Sequence, residues 1–121
     1  MKNKLIYIAS PYAGEIEQNV AFAKQACRHA IHQGHTPIAV HLLYPQMLDD
    51  ENPVEREAGL RLGHRVLEVC DEVWVCGGRI SSGMAREIAE AQRIGIPIRE
   101  VTALEIESEQ AEAPQLGMRM V

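Results

Sequence analysis

Residues 77–87 read Gly77-Gly78-Arg79-Ile80-Ser81-Ser82-Gly83-Met84-Ala85-Arg86-Glu87. Three glycines, two adjacent hydroxyls and one carboxylate in so short a stretch suit recognition of an anion or of sugar hydroxyls. The chemistry depends on what flanks them. Val73, Trp74, Val75 and Cys76 form an apolar run ahead of the glycines, the pattern of a buried strand. Behind them Met84, Ile88, Ala91 and Ile94 recur at helical spacing, so the stretch is a strand, a Gly/Ser turn and a helix start. Ser81 or Ser82 is placed to cap that helix, whose free N–H groups favour negative charge. Glu87 enters about a turn later, where the dipole and the N–H groups favour its ionised form. An ionised carboxylate facing a sugar C1′ can attack it or stabilise an oxocarbenium-like transition state, the logic of glycosyl transfer. The plainer alternative is a solvated glutamate in a first helical turn.

Other phosphate and nucleophile patterns do not fit. A dinucleotide fingerprint belongs after the first strand, and here the glycines follow the third. A phosphate loop ends in Gly-Lys-Ser/Thr, and the stretch holds no lysine. Ser82 lacks the flanking glycine spacing of a nucleophile elbow.

The elements that must position these residues alternate regularly. Leu5, Ile6, Tyr7, Ile8 and Ala9 form a first strand that Ser10-Pro11-Tyr12-Ala13-Gly14 ends in a turn. Residues 15–33 form a helix with Val20, Ala23, Cys27, Ala30 and Ile31 on one face, closed by Gly34. Residues 36–40 are a second strand, and residues 41–53 a long loop without periodicity, whose length suits a mobile or a functional segment. Asn52-Pro53 caps a second long helix over residues 54–69, whose apolar face is Val54, Ala58, Leu62, Val66 and Val69. Gly59 and Gly63 inside it cost about 1 kcal/mol each and point to close approach by a neighbouring element, a partner helix being one option. A third strand over residues 72–76, the Gly/Ser turn and its helix, and a fourth strand over residues 96–101 complete the order. Such alternation predicts an α/β domain, a parallel sheet of four to five strands with helices on both faces. Ligands in such folds bind beyond the carboxyl ends of the strands. Ser10, Tyr12, His41, Tyr44, Gly78, Ser81, Ser82, Gly83 and Glu87 gather on that edge, while Asp71 lies at the opposite one. His29, His32 and His35 cluster at a helix C-terminus, where a surface role is expected.

The motifs together resemble one known family. Residues 5–14, Cys70-Asp71-Glu72-Val73-Trp74-Val75 and residues 81–87 are similar to the nucleoside 2-deoxyribosyltransferase-like superfamily, in its small bacterial and phage branch. Ser81-x-Gly83-x-x-x-Glu87 matches the Ser/Asp-x-Gly-x-x-x-Glu pattern of that family position by position. The resemblance implies that Glu87 is the nucleophile, that Tyr7 orients it, and that Ser81 contacts the sugar or its phosphate. It implies a three-layer flavodoxin-like or Rossmann-like fold, and N-glycosidic bond cleavage or deoxyribosyl transfer on a nucleoside or nucleotide, without metal or organic cofactor, by a homodimer or higher homo-oligomer. A module that binds or sequesters a nucleotide without turnover is the alternative. The family also carries a second carboxylate before its third strand, where this chain has Gly59-Leu60-Arg61-Leu62-Gly63-His64. Glu57, Asp49, Asp50 and His64 are the nearby groups able to exchange a proton. The hydrolase branch places a phosphate-binding arginine after the first strand, where Tyr12 and Ala13 stand here.

Composition bounds the rest. A chain of 121 residues with 46% hydrophobic and 24% charged residues predicts one soluble domain over residues 1–104 and an acidic tail over residues 105–121, partly disordered or in subunit contact. A net charge of −5 with scattered Lys and Arg argues against a nucleic-acid polymer as partner. No apolar run approaches the roughly 18 residues of a membrane span, and residues 5–9 fit a strand better than a signal peptide. Cys27, Cys70 and Cys76 match neither a disulfide framework nor a zinc pattern, so reduced thiols in the cytoplasm are expected.

Overall fold

The computed structural model describes residues 3–112, with side chains described through residue 108. β1 (Leu5–Ala9), β2 (Thr36–Ile38), β3 (Glu72–Cys76) and β4 (Ile98–Val101) form one parallel sheet in the order β2-β1-β3-β4. The helices are α1 (Ile16–His32), α2 (Pro53–Leu67), α3 (Ser82–Ile94) and α4 (Ala103–Glu112). β1 is central, pairing Tyr7 with Ile38 on one side and with Val73 on the other. The chain leaves β1 toward β2 and then crosses back to β3, so the strand order reverses between β1 and β3. That reversal leaves a crevice at the carboxyl edge.

Side-chain alternation along the strands sorts the core into two layers. Ile6 and Ile8 of β1 with Trp74 and Cys76 of β3 face α1 and α4, meeting Ala26, Ala30 and Ile106. Tyr7 and Ala9 with Val73 and Val75 face the other way, toward Leu67 of α2 and Met84 and Ala91 of α3. The period of two thereby directs the Tyr7 phenol to the α2–α3 side. At the amino edge of the sheet the carboxylate of Asp71 accepts the Leu5 N–H at 2.8 Å, a structural task far from the carboxyl edge.

Several helix faces differ from the expected ones. In α1 the buried residues are Ala23, Ala26, His29 and Ala30, whereas Ile31 is 38% exposed. His29 is not a surface group: it packs tilted against Trp74 at 5.8 Å between ring centroids. In α2 the buried residues are Gly63 and Leu67, Val54 and Leu62 are exposed, and Val69, expected on its face, is exposed beyond the helix end. Periodicity ranks bulky apolar residues as core, but the space beneath α2 is taken by Tyr7 and admits a glycine, which turns the helix face. The second strand ends at Ile38, and residues 40–42 and 44–46 form two short 3-10 turns in the segment expected to be irregular. The domain also runs past residue 104. α4 is capped by the Thr102 hydroxyl, which accepts the Glu105 N–H at 3.1 Å, and its Ile106 is wholly buried in the core. Residues 113–121 of the expected tail lie outside the described residues.

Candidate functional site

The β1/β3 crevice opens into a cavity of about 200 Å³ at the carboxyl edge. The loop after β1 contributes Ser10, Tyr12 and Ala13, and the turns after β2 contribute Val40, His41, Tyr44, Pro45 and Leu48. α2 with the residues before it lends Asp50, Glu55, Arg56, Gly59, Leu60 and Gly63, and the start of α3 lends Ser81, Ser82, Gly83, Met84 and Glu87. The three loops grouped on the sequence therefore meet around one space. Gly78 does not line it; Gly78 is exposed, on the approach to α3.

α3 begins because Ser81 adopts extended backbone and its hydroxyl accepts the Met84 N–H at 3.2 Å. The cap leaves a second hydroxyl, Ser82, free to face α2. Six residues past the Ser81 cap, beyond the first turn, Glu87 points back under α2, and the Tyr7 hydroxyl donates a hydrogen bond to its Oε2. Tyr7 is wholly buried, and burial together with the neighbouring Glu87 pushes its pKa far above that of a free phenol. It therefore stays a donor. Burial raises Glu87 to about 7, against the lowering effect of the Tyr7 hydrogen bond. The expectation that the helix start would favour ionised Glu87 is thus overturned: loss of water outweighs the dipole, whose influence fades within the first turn.

Across the cavity Ser10 Oγ and His41 Nε2 share a hydrogen bond of 2.7 Å. Burial pushes His41 down to about 4, so its imidazole is neutral near pH 7. Arg56 was not singled out in the sequence. Its guanidinium donates to Ser82 Oγ at 3.2 Å and to Asp50 Oδ2 at 3.4 Å, which puts a cation beside the N-terminus of α3. The only sequence signal was its place one turn after the Asn52-Pro53 start of α2, and nothing there indicates which way it points. Of the other proposed proton carriers, Glu57 is held by Arg86 through contacts of 2.7 and 3.3 Å outside the cavity lining. The Arg86 hydrogen bond keeps its pKa low. Asp49 accepts the Glu51 N–H at 3.0 Å and does not line the cavity, and His64 lies beyond it too. Glu55, which does line it, accepts the Asp49 N–H at 2.8 Å. Among the described residues no group of three or more His, Cys, Asp or Glu side chains could hold a metal ion.

Of the two costly glycines of α2, Gly63 finds its reason here. A Cβ on Gly63 would stand 3.1 Å from the Tyr7 hydroxyl, so the element that approaches is β1, not a partner helix.

A family model described as "Domain of unknown function (DUF7768)" matches residues 4–101. The chain belongs to that family. No curated protein matches it in sequence. Among solved structures, a 2-deoxyribosyltransferase from the psychrotolerant bacterium Bacillus psychrosaccharolyticus superposes with a TM-score of 0.60 at 21% identity. The match covers 81% of this chain and 72% of that one. This likeness establishes the three-layer α/β fold for the DUF7768 chain. The described helices include none long and apolar enough to cross a membrane. Cys27, Cys70 and Cys76 are all free thiols, with burial pushing them to about 11, 11 and 12.

Proposed function

We propose that this protein cleaves or exchanges the N-glycosidic bond of a nucleoside or nucleotide, with Glu87 as the group that meets the anomeric carbon. The observation that carries the reading is the part-buried hydrogen bond from Tyr7 to Glu87, whose carboxylate lines the cavity. Fold likeness to a 2-deoxyribosyltransferase and the Ser81-x-Gly83-x-x-x-Glu87 match to the nucleoside 2-deoxyribosyltransferase-like superfamily support it. In the first step the ionised Glu87 carboxylate bonds to C1′ while the C–N bond breaks, and the electron pair leaves with the base nitrogen. Tyr7 holds one carboxylate oxygen, which leaves the other for attack. Transfer to a second base, or to water, then frees Glu87. Ser10, held by the neutral His41, and Tyr12 offer hydrogen bonds to sugar or base, while Ser81, Ser82 and Gly83 frame the start of α3. Arg56 beside that helix start is the cation suited to a 5′-phosphate, and the charge-assisted bond it would make is among the strong ones.

A nucleotide-binding module without turnover is the second reading. It is favoured by the engagement of the other cavity carboxylates: Asp50 faces Arg56 at 3.4 Å and Glu55 accepts the Asp49 N–H at 2.8 Å. Incubation with deoxynucleosides and nucleoside monophosphates, followed by chromatography of free base, separates the two. Base release that Glu87→Ala abolishes is the expected result. Calorimetric binding without release across the panel selects the binding module. Self-association belongs to the same proposal, and the exposed Val54 and Leu62 of α2, with Val69 just past its end, support a homodimer. A monomer mass by light scattering at micromolar concentration would refute it.

A further inference from the structure

Gly63 lies inside α2, where glycine is destabilising by about 1 kcal/mol relative to alanine. Its neighbour Gly59, one turn earlier, faces only Leu48 Cδ1 at 3.6 Å, an ordinary contact. At Gly63 the situation differs. A Cβ there would come within 3.1 Å of the Tyr7 hydroxyl and 3.3 Å of Val40 Cγ2. Tyr7 cannot withdraw easily, because it sits wholly buried on the central strand, paired on both sides. We propose that Gly63 is a positioning residue: the bare backbone of α2 is the stop against which the Tyr7 hydroxyl is held on the Glu87 carboxylate. This rests on the reading of Glu87 as the reacting group, since otherwise the contact has no reaction to serve.

A methyl group at position 63 pushes the phenol oxygen, or α2 itself, by a few tenths of an ångström. The Tyr7 hydrogen bond is the influence that holds the Glu87 carboxyl down against burial, so lengthening it raises the carboxyl further. Other groups around the pair are Tyr44 from the turn after β2 and Cys70 after α2, both acting on Tyr7. On α2, Arg56 is held by Asp50 and Ser82, and His64 faces Glu90 of α3. Arg86 of α3 is engaged by Glu57.

The test is an NMR pH titration of protein labelled at glutamate carboxyl carbons, with the Glu87 signal assigned by its loss in Glu87→Gln. Tyr7→Phe and Gly63→Ala are expected to move the Glu87 midpoint up by roughly one unit, and Gly59→Ala to leave it in place. An unchanged midpoint in Gly63→Ala overturns the proposal, as does a shift of equal size in Gly59→Ala. Should Gly63→Ala fold poorly, a stability cycle with Tyr7→Phe decides. Alanine at 63 should destabilise less once the hydroxyl is gone, and strict additivity would overturn the proposal. The titration needs no turnover. A midpoint that shifts as expected in a protein releasing no base would refute the glycosidic reading, while showing that Gly63 sets the Tyr7 contact on Glu87.

Discussion

Glu87 is a buried acid whose ionisation is finely balanced, because burial raises it to about 7 while the Tyr7 hydroxyl pulls it back. If it attacks as a carboxylate, only the ionised fraction works. Base release measured as kcat/KM should then climb about tenfold per pH unit below 7 and level off above it. Tyr7→Phe removes the one stabilising donor, so the inflection should move to higher pH and the rate at pH 7 should fall. A pH–rate profile of both proteins checks this, and an unmoved inflection would contradict the pairing. The motif Ser81-x-Gly83-x-x-x-Glu87 made this residue visible in the sequence. Its protonation behaviour was not visible, since the burial that sets it comes from β1 and α2, distant in the chain. Tyr7 was found by resemblance, and alternation along β1 explains why it, and not Ile6 or Ile8, faces the acid.

Among the elements, the N-terminal ends of α2 and α3 matter most, because both abut the cavity. Each has its own cap. Asn52 Oδ1 accepts the N–H groups of Val54 and Glu55 at 3.0 and 3.2 Å, and Ser81 Oγ accepts that of Met84 at 3.2 Å. Ser81→Ala should lower stability by about 1 kcal/mol, read from the urea midpoint, and loosen the turn that carries Ser82. The two helices are tied by Arg56 on Ser82 and by Arg86 on Glu57. Arg56→Ala should weaken nucleoside monophosphate binding about tenfold while leaving nucleosides unaffected, as calorimetry would show. Equal loss for both ligands would mean that Arg56 orders the site and does not read the phosphate. Caps were legible because they depend on neighbours within three positions. The direction of Arg56 was not, because it depends on how α2 is rotated, and two glycines disguised that rotation.

For the molecule as a whole, Glu87 and His41 give opposite pH dependences of stability. Glu87 rises on folding from 4.5 to about 7, so its contribution is full below 4.5 and is lost as pH climbs to 7. His41 falls from 6.5 to about 4, so its contribution is full above 6.5 and is lost as pH drops to 4. Each spans about 3 kcal/mol, and in the intact protein they largely offset one another. Relative to the parent, Glu87→Gln should gain stability as pH rises from 4.5 to 7, and His41→Asn should lose it as pH rises from 4 to 6.5. Urea midpoints across that range would show the two slopes, and parallel curves for all three proteins would refute the assignment. By itself the sequence determined the alternating elements, the parallel sheet and the carboxyl edge where Ser10, His41, Ser81 and Glu87 collect. Those properties follow from local spacing and from the handed, short-range rules of α/β chains. Only the tertiary structure decided that α2 turns Gly63 inward onto Tyr7, that Arg56 reaches Ser82, and that Gly78 stays outside the cavity. Contacts between segments far apart in the chain rest on packing volume and lost solvent, and neither is written in any one segment. The residues after β3 were recognisable from the start; what makes Glu87 a distinctive acid is supplied by β1 beneath it and α2 above.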